Sequence, residues 1–265
     1  MTGDLDAVNR GTWGRDDVVE AFVERSGPID AGEAVLLERL APEFGGRPVL
    51  DLGYGGGRTV PLLRAVSEDY VGVDYVPELV AAAQRRFPGV RLEGGDARDL
   101  SRFPDASFAL VFFSFNGIDG IAHADRPLVL REVRRVLEPG GVFAYSTHNL
   151  DHSSAGNGFV GAAGRELMRR PWAAVRHVRR IPGAIRSYGM LRRHSEAGEG
   201  WAILPDPSYG FSVVLHHVTL RAALDEAHAA GFEQLEVIAS DGTAVPEAAS
   251  DTSTPWFHLL ARAPQ

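Results

Sequence analysis

Between residues 49 and 60 the chain reads VLDLGYGGGRTV, an apolar run that passes through Asp51 into a turn with Gly53, Gly55 and Gly57, and Arg58 behind them. A turn without side chains lets a ligand approach the backbone closely, and an acid in it can accept hydrogen bonds. A phosphate-cradling P-loop needs a lysine followed by Ser or Thr after the glycines, and this chain has no lysine. A dinucleotide-binding turn has the form G-x-G-x-x-G, whose last glycine lets the helix pack closely on the strand. Counted from Gly53, that position is Arg58, so the fit is poor. A cation near a helix N-terminus opposes the macrodipole by ~0.3–1 kcal/mol. Arg58 therefore reads first as the partner of a nearby acid, and otherwise as a contact to a ligand.

Further groups that can do chemistry follow at intervals. Asp74 closes YVGVD, and Asp96 and Ala97 lie in EGGDARDL. Asn116, Asp119 and His123 follow the apolar run FALVFFSF, while His148 and Asn149 end VFAYSTHN. His148 reads as a general base or substrate contact, or else as a hydrogen-bonded rim residue. Asp119 and His123 are four apart and would share one helix face. They read as a capping acid and a solvent-facing histidine, or as site groups beside His148. Asn116 would orient a substrate or hold the turn before Gly117. His216 and His217 precede a later helix and can face the same cleft. No carboxylate cluster suited to a metal can be assembled, so no metal is expected.

These residues need a frame. The sequence predicts helices over 15–25 and 31–40, the second opened by Asp30 with Glu33 three residues on, a capping-box pattern. Strands follow at 49–52, 70–74, 90–96, 108–115 and 142–148. Helices lie between them, with stripes such as Leu79, Val80, Ala83 and Phe87, or Leu130, Val133, Val136 and Leu137. The run 108–115 is continuously apolar, as a strand buried on both faces must be. Pro139, Gly140 and Gly141 end the preceding helix. Such alternation implies a parallel sheet covered by helices on both sides. A helix at 219–230 and strands near 232–238 and 256–263 complete the pattern.

The D-x-G-x-G-x-G spacing of Asp51, Gly53, Gly55 and Gly57 resembles the first motif of the class I S-adenosylmethionine-dependent methyltransferases. YVGVD, EGGDARDL, FALVFFSF and REVRRVLEPGGVFAYSTHN resemble that family's later motifs, in the right order, over about residues 48 to 149. The resemblance implies an α/β, doubly wound, Rossmann-like seven-stranded sheet with an antiparallel last strand, here carrying a helical cap insertion. It implies S-adenosylmethionine as cofactor, leaving S-adenosylhomocysteine as product. The implied cofactor contacts are Asp51, Gly53, Gly55, Gly57, Asp74, Tyr75, Asp96, Ala97 and Phe113. Asp74 would take the ribose hydroxyls, and Asp96 with Ala97 the adenine. Such contacts lie at the carboxyl ends of parallel strands, where open α/β sheets bind ligands. His148 and Asp119 are the expected catalytic residues, and Asn116, His123, Asn149, Trp201 and Tyr209 the expected substrate contacts. Trp13 and Phe22 are further expected wall residues.

The chain of 265 residues carries a net charge of −8, against a dedicated nucleic-acid binder, and has no cysteine, which excludes disulfide and thiolate chemistry. All 27 basic residues are arginine, so neither a Schiff base nor a lysine base can operate. With no apolar span of roughly 20 residues and a polar N-terminus, a cytoplasmic location is expected. A single domain over 1–265 is expected: helices over 1–47, a cofactor core over 48–150, a helical cap over 151–217, and a C-terminal helix and strands over 218–265. Nine arginines fall between 165 and 193 against one acid, Glu166. They read as the solvated face of the cap, as arginine forks for an anionic acceptor, or as a membrane or partner contact. The expected activity is methyl transfer to oxygen or nitrogen of a small, biosynthetic or tailoring acceptor, and FSFNGID and STHN resemble a bacterial subgroup. The alternatives are an RNA or protein methyltransferase docking through the arginines, and a non-methylating binding module. Oligomeric state stays open, a homodimer included.

Overall fold

The computed structural model describes residues 2–152, 186–207, 211–246, 248–249 and 253–265. Eight of its strands form one continuous path: β3 (Leu92–Gly94), β2 (Tyr70–Asp74), β1 (Val49–Leu52), β4 (Phe108–Phe113), β5 (Leu137–Asn149), β11 (Trp256–Arg262), β9 (Glu233–Ala239) and β10 (Ala244–Val245). The first five are parallel, with Leu50 opposite Val71 and Val111, while β11 runs antiparallel to both β5 and β9. The order reverses direction at β1, so β1 and β4 open a crevice at their carboxyl ends.

Alternate residues of the central strands feed two apolar layers. Leu50, Leu52, Val111 and Phe113 pack with Val129, Leu130 and Val133 of α6 (Arg126–Val136) and with Leu220, Ala223 and Leu224 of α7 (Leu220–Ala229). Val49, Leu110 and Phe112 pack on the other face with α3 (Ala31–Phe44), α4 (Val60–Val66) and α5 (Pro77–Arg86). This two-sided burial is why the strands read as unbroken apolar runs. The Asp30 side chain accepts from the Glu33 amide at 2.7 Å, as the capping pattern predicts. Two helices precede α3: α1 (Thr2–Trp13), which the sequence pattern did not disclose, and α2 (Asp16–Val23).

Two expectations need correction. Among the described residues the sheet has eleven strands rather than seven. The described part of the expected helical cap is largely β: β6 (Glu196–Gly198), β7 (Trp201–Asp206) and β8 (Val213–Val218) form antiparallel pairs, and β8 joins β5 in parallel through His148 opposite His217. The cause is burial. Every residue of Val213–Val218 is buried, histidines included, so polar residues sit where a surface strand would show clean alternation. Residues 186–191 are helical, and residues 153–185, with most of the arginine-rich segment, lie outside the described residues.

Candidate active site

A cavity of about 390 Å³ opens at the carboxyl ends of β1, β2 and β4. Gly53 and Gly55 form its floor at φ values of +63° and +58°, a left-handed region that favours glycine. A Cβ on Gly53 would lie 2.6 Å from the Phe113 ring, and one on Gly55 3.1 Å from Phe22. The turn is glycine because aromatic walls stand against it.

Asp74 lines the cavity. Its two oxygens accept from the Gly55 and Val76 amides at 2.8 and 2.9 Å, which ties the glycine turn to the end of β2. A carboxylate oxygen accepts more than one hydrogen bond, so both keep capacity for a ligand. Burial raises the Asp74 pKa from 3.8 to about 6, against the opposing pull of those amides. Tyr75, Asp96, Ala97 and Phe113 line the same cavity. Both Asp96 oxygens already accept from Arg98, which also pairs with Asp6 and Asp125. Asp51 and Gly57 do not line the cavity. Asp51 is wholly buried, accepting from Thr59 and the Tyr70 hydroxyl, and desolvation raises its pKa to about 7. Arg58 is spent structurally: it pairs with Glu33 at 2.6 and 2.9 Å and donates to the Gly27 carbonyl and Ser114 Oγ.

At the other end stands His148. Asp119 is fully buried and gathers His148 Nδ1 (2.8 Å), the His148 amide (2.7 Å), Thr147 Oγ1 (2.5 Å) and Arg126 Nη1 (3.3 Å). That carboxylate fixes the His148 proton on Nδ1 and leaves Nε2 as an acceptor, 3.2 Å from Asn116 Nδ2. The His148 pKa is raised: desolvation lowers it, but the hydrogen bond and charge of Asp119 prevail. His148 and Asn116 both line the cavity, whereas Asp119 stands behind His148. Phe115 and Asn116 hold φ values of +53° and +55°, a strained pair at the exit of β4.

Three buried polar atoms on the cavity wall, Arg25 Nε, Tyr75 Oη and Asn116 Oδ1, have no hydrogen-bond partner among the described residues. Leaving such a group unmet costs about 1–3 kcal/mol. Three on one wall mark a surface shaped for a polar ligand. Much of the remaining wall is apolar, with Trp13, Phe22, Phe115, Ile121, Val213 and Leu215.

Several expected substrate residues lie outside this lining. Asp119 and His123 do not share a helix face, because they occupy separate 3-10 turns, Gly117–Gly120 and His123–Asp125. His123 turns away to His216 and stacks on Trp201 with ring centroids 3.8 Å apart, which removes both from the wall. Asn149 is buried and donates to the Thr254 carbonyl. Tyr209 lies outside the described residues. Conversely, Arg25, Val213 and Leu215 line the cavity without having been singled out. Val213 and Leu215 carry a strand's two-residue period as a signal, whereas Arg25 carries none.

A family model described as a methyltransferase domain matches residues 49–141. Those residues carry the domain of the class I S-adenosylmethionine-dependent methyltransferases. A relative from Mycolicibacterium smegmatis, whose name describes an S-adenosylmethionine-dependent methyltransferase, is 37% identical over 115 residues, 43% of each chain. A relative from Mycobacteroides abscessus, whose name describes an O-methyltransferase, is 34% identical over 147 residues, 49% of this chain and 66% of that one. The chain thus spans less than half of one relative and about two thirds of the other. Among solved structures, the methyltransferase fold is shared with Burkholderia thailandensis 1,6-didemethyltoxoflavin-N1-methyltransferase, bound to that heterocycle and S-adenosylhomocysteine (TM-score 0.59, 15% identity, 100% of this chain and 91% of that one). No helix among the described residues of this chain is long and apolar enough to cross a membrane.

Proposed function

We propose that this methyltransferase moves a methyl group from S-adenosylmethionine to an oxygen or nitrogen of a small acceptor, with His148 as general base and Asp119 as its positioning residue. One observation carries the reading: a histidine with its proton held on Nδ1 by a buried carboxylate presents Nε2 to the same cavity that the glycine turn and Asp74 close. The donor, when bound, supplies an activated sulfonium methyl. The chain's task is then alignment, worth up to ~7–11 kcal/mol in favourable cases, together with removal of the acceptor's proton. Asp74 would accept from ribose hydroxyls. The Asp96–Ala97 segment would face the base, chiefly through the backbone because Arg98 occupies the Asp96 carboxylate. His148 Nε2 would take a hydroxyl proton while Asn116 orients the acceptor. The apolar wall favours an uncharged, largely planar acceptor. The heterocycle named for the Burkholderia enzyme and the O-methyltransferase name of a relative are consistent with that class.

The test pairs turnover with binding. Methyl transfer from labelled donor to a panel of phenols, alcohols and heterocyclic amines should yield product with at least one of them. His148→Ala should lower that rate by about 10²–10⁴-fold and leave S-adenosylhomocysteine affinity unchanged. A variant with undiminished turnover would remove His148 from the mechanism.

A further inference from the structure

A second group of ligating side chains stands apart from the cavity lining. His123, His216 and Glu226 each offer one ligand atom, and these atoms lie within 4.8 Å of one another. They come from three elements: the 3-10 turn His123–Asp125, strand β8 and helix α7. His123 Nδ1 is 3.1 Å from His216 Nε2 and 3.8 Å from Glu226 Oε1. A tetrahedral ion with bonds of about 2.0–2.1 Å sets its ligand atoms roughly 3.4 Å apart, so the two separations bracket what such an ion needs.

An N–H···N bond between the two rings would account for their approach but not for their surroundings. His216 is wholly buried and its Nδ1 has no hydrogen-bond partner among the described residues, an uncommon state for a structural core histidine. With the proton on Nδ1, the Nε2 lone pair points into the group. Two of the three ligands are also held from behind. Trp201 stacks on the His123 ring at 9°. Arg126, itself buried, holds Glu226 Oε2 at 3.0 Å and leaves Oε1 on the side of His123. Outer contacts that fix ligand orientation are characteristic of metal sites. Arg126 does not leave the region positive, since Asp119 and Glu226 set two carboxylates against it.

We propose that His123 Nδ1, His216 Nε2 and Glu226 Oε1 form a three-ligand site for a divalent transition ion of the zinc class, with a fourth position open to solvent. Two imidazoles and one carboxylate suit zinc, cobalt or nickel over magnesium or calcium. The ion would clamp β8 to α7 and to the turn after β4. It would stand one ion-pair network, Glu226–Arg126–Asp119, from His148. This departs from the sequence expectation of no metal and is independent of the methyl-transfer reading.

The test uses the full chain without an affinity tag, stripped with chelator and titrated with zinc chloride against a chromophoric competitor of micromolar affinity. One equivalent should bind, with magnesium at millimolar concentration failing to displace it, and cobalt should give the intense visible bands of a four-coordinate ion. His123→Ala and Glu226→Gln should each weaken zinc binding at least tenfold, and His123→Ala should leave the melting of the stripped protein unchanged. His123 is one-third exposed, which makes its replacement tolerable to the fold. No saturable zinc binding, or variants that bind as tightly as the parent, would overturn the proposal.

Discussion

At Asp74 a cavity-facing carboxylate carries two backbone hydrogen bonds and still has a pKa near 6, because desolvation outweighs the amides. A folded-state value raised above the unfolded one contributes stability that is full below about 4 and lost as pH rises through about 6. Asp74→Asn should therefore melt progressively higher, relative to the parent, as pH climbs from 4 to 7; parallel melting curves would contradict this. Hydroxyl donors favour the ionised form, so S-adenosylhomocysteine affinity should fall by up to about tenfold per unit as pH drops below 6, and Asp74→Ala should weaken binding at every pH. Calorimetry at pH 5, 6, 7 and 8 would check both. His148 shows a dependence of the same sense at higher pH. Asp119 raises its pKa above the ordinary 6.5, so the imidazole becomes a free base only at higher pH. The ascending limb of kcat/KM against pH should have its midpoint above 6.5, and Asp119→Asn should move it downward while lowering the rate. An unmoved midpoint would show that Asp119 does not govern His148. At this scale the sequence was only partly legible. Asp51 and Asp74 both lie in the last two residues of apolar strands, yet one points to Thr59 and Tyr70 inside the fold and the other to the cavity. Strand position alone does not separate them.

Among the elements, α3 and the glycine turn are joined by the Arg58–Glu33 pair, with both side chains almost fully buried. Glu33 also accepts from the Ile29 amide, so one acid closes the helix start and neutralises the cation behind the turn. Removing one partner of a buried pair strands the other charge, at about 3–5 kcal/mol. Glu33→Ala should lose that much stability in denaturant unfolding and should weaken cofactor affinity by displacing the turn. A loss below 1 kcal/mol would mean that solvent already screens the pair. The elements carrying recognisable motifs, β1 to β5 and the helices between them, were legible because each is buried on two faces or striped on one. The inserted strands β6 to β8 were not. Their histidines and prolines blur the strand period, and β8 is held by pairing with β5, a contact between residues distant in the chain. The same insertion relocates His123 and Trp201, which stack with each other and His216 away from the cavity wall.

Across the molecule, the sheet order puts the reversal point at β1, and everything assigned to the cofactor follows from the crevice there. The α2 helix and its continuation bring Phe22 and Arg25 over the turn, and β8 closes the far wall with Val213 and Leu215. The fold is therefore a shared core with part of its cavity wall supplied by sequence outside that core. This is why the motifs disclosed the cofactor and left the acceptor open. The central claim is that this cavity seats an adenosyl sulfonium compound. Isothermal titration of the full chain with S-adenosylhomocysteine tests it most directly. The account predicts saturable one-to-one binding in the micromolar range that Asp74→Ala weakens; no saturable heat at millimolar ligand would contradict it.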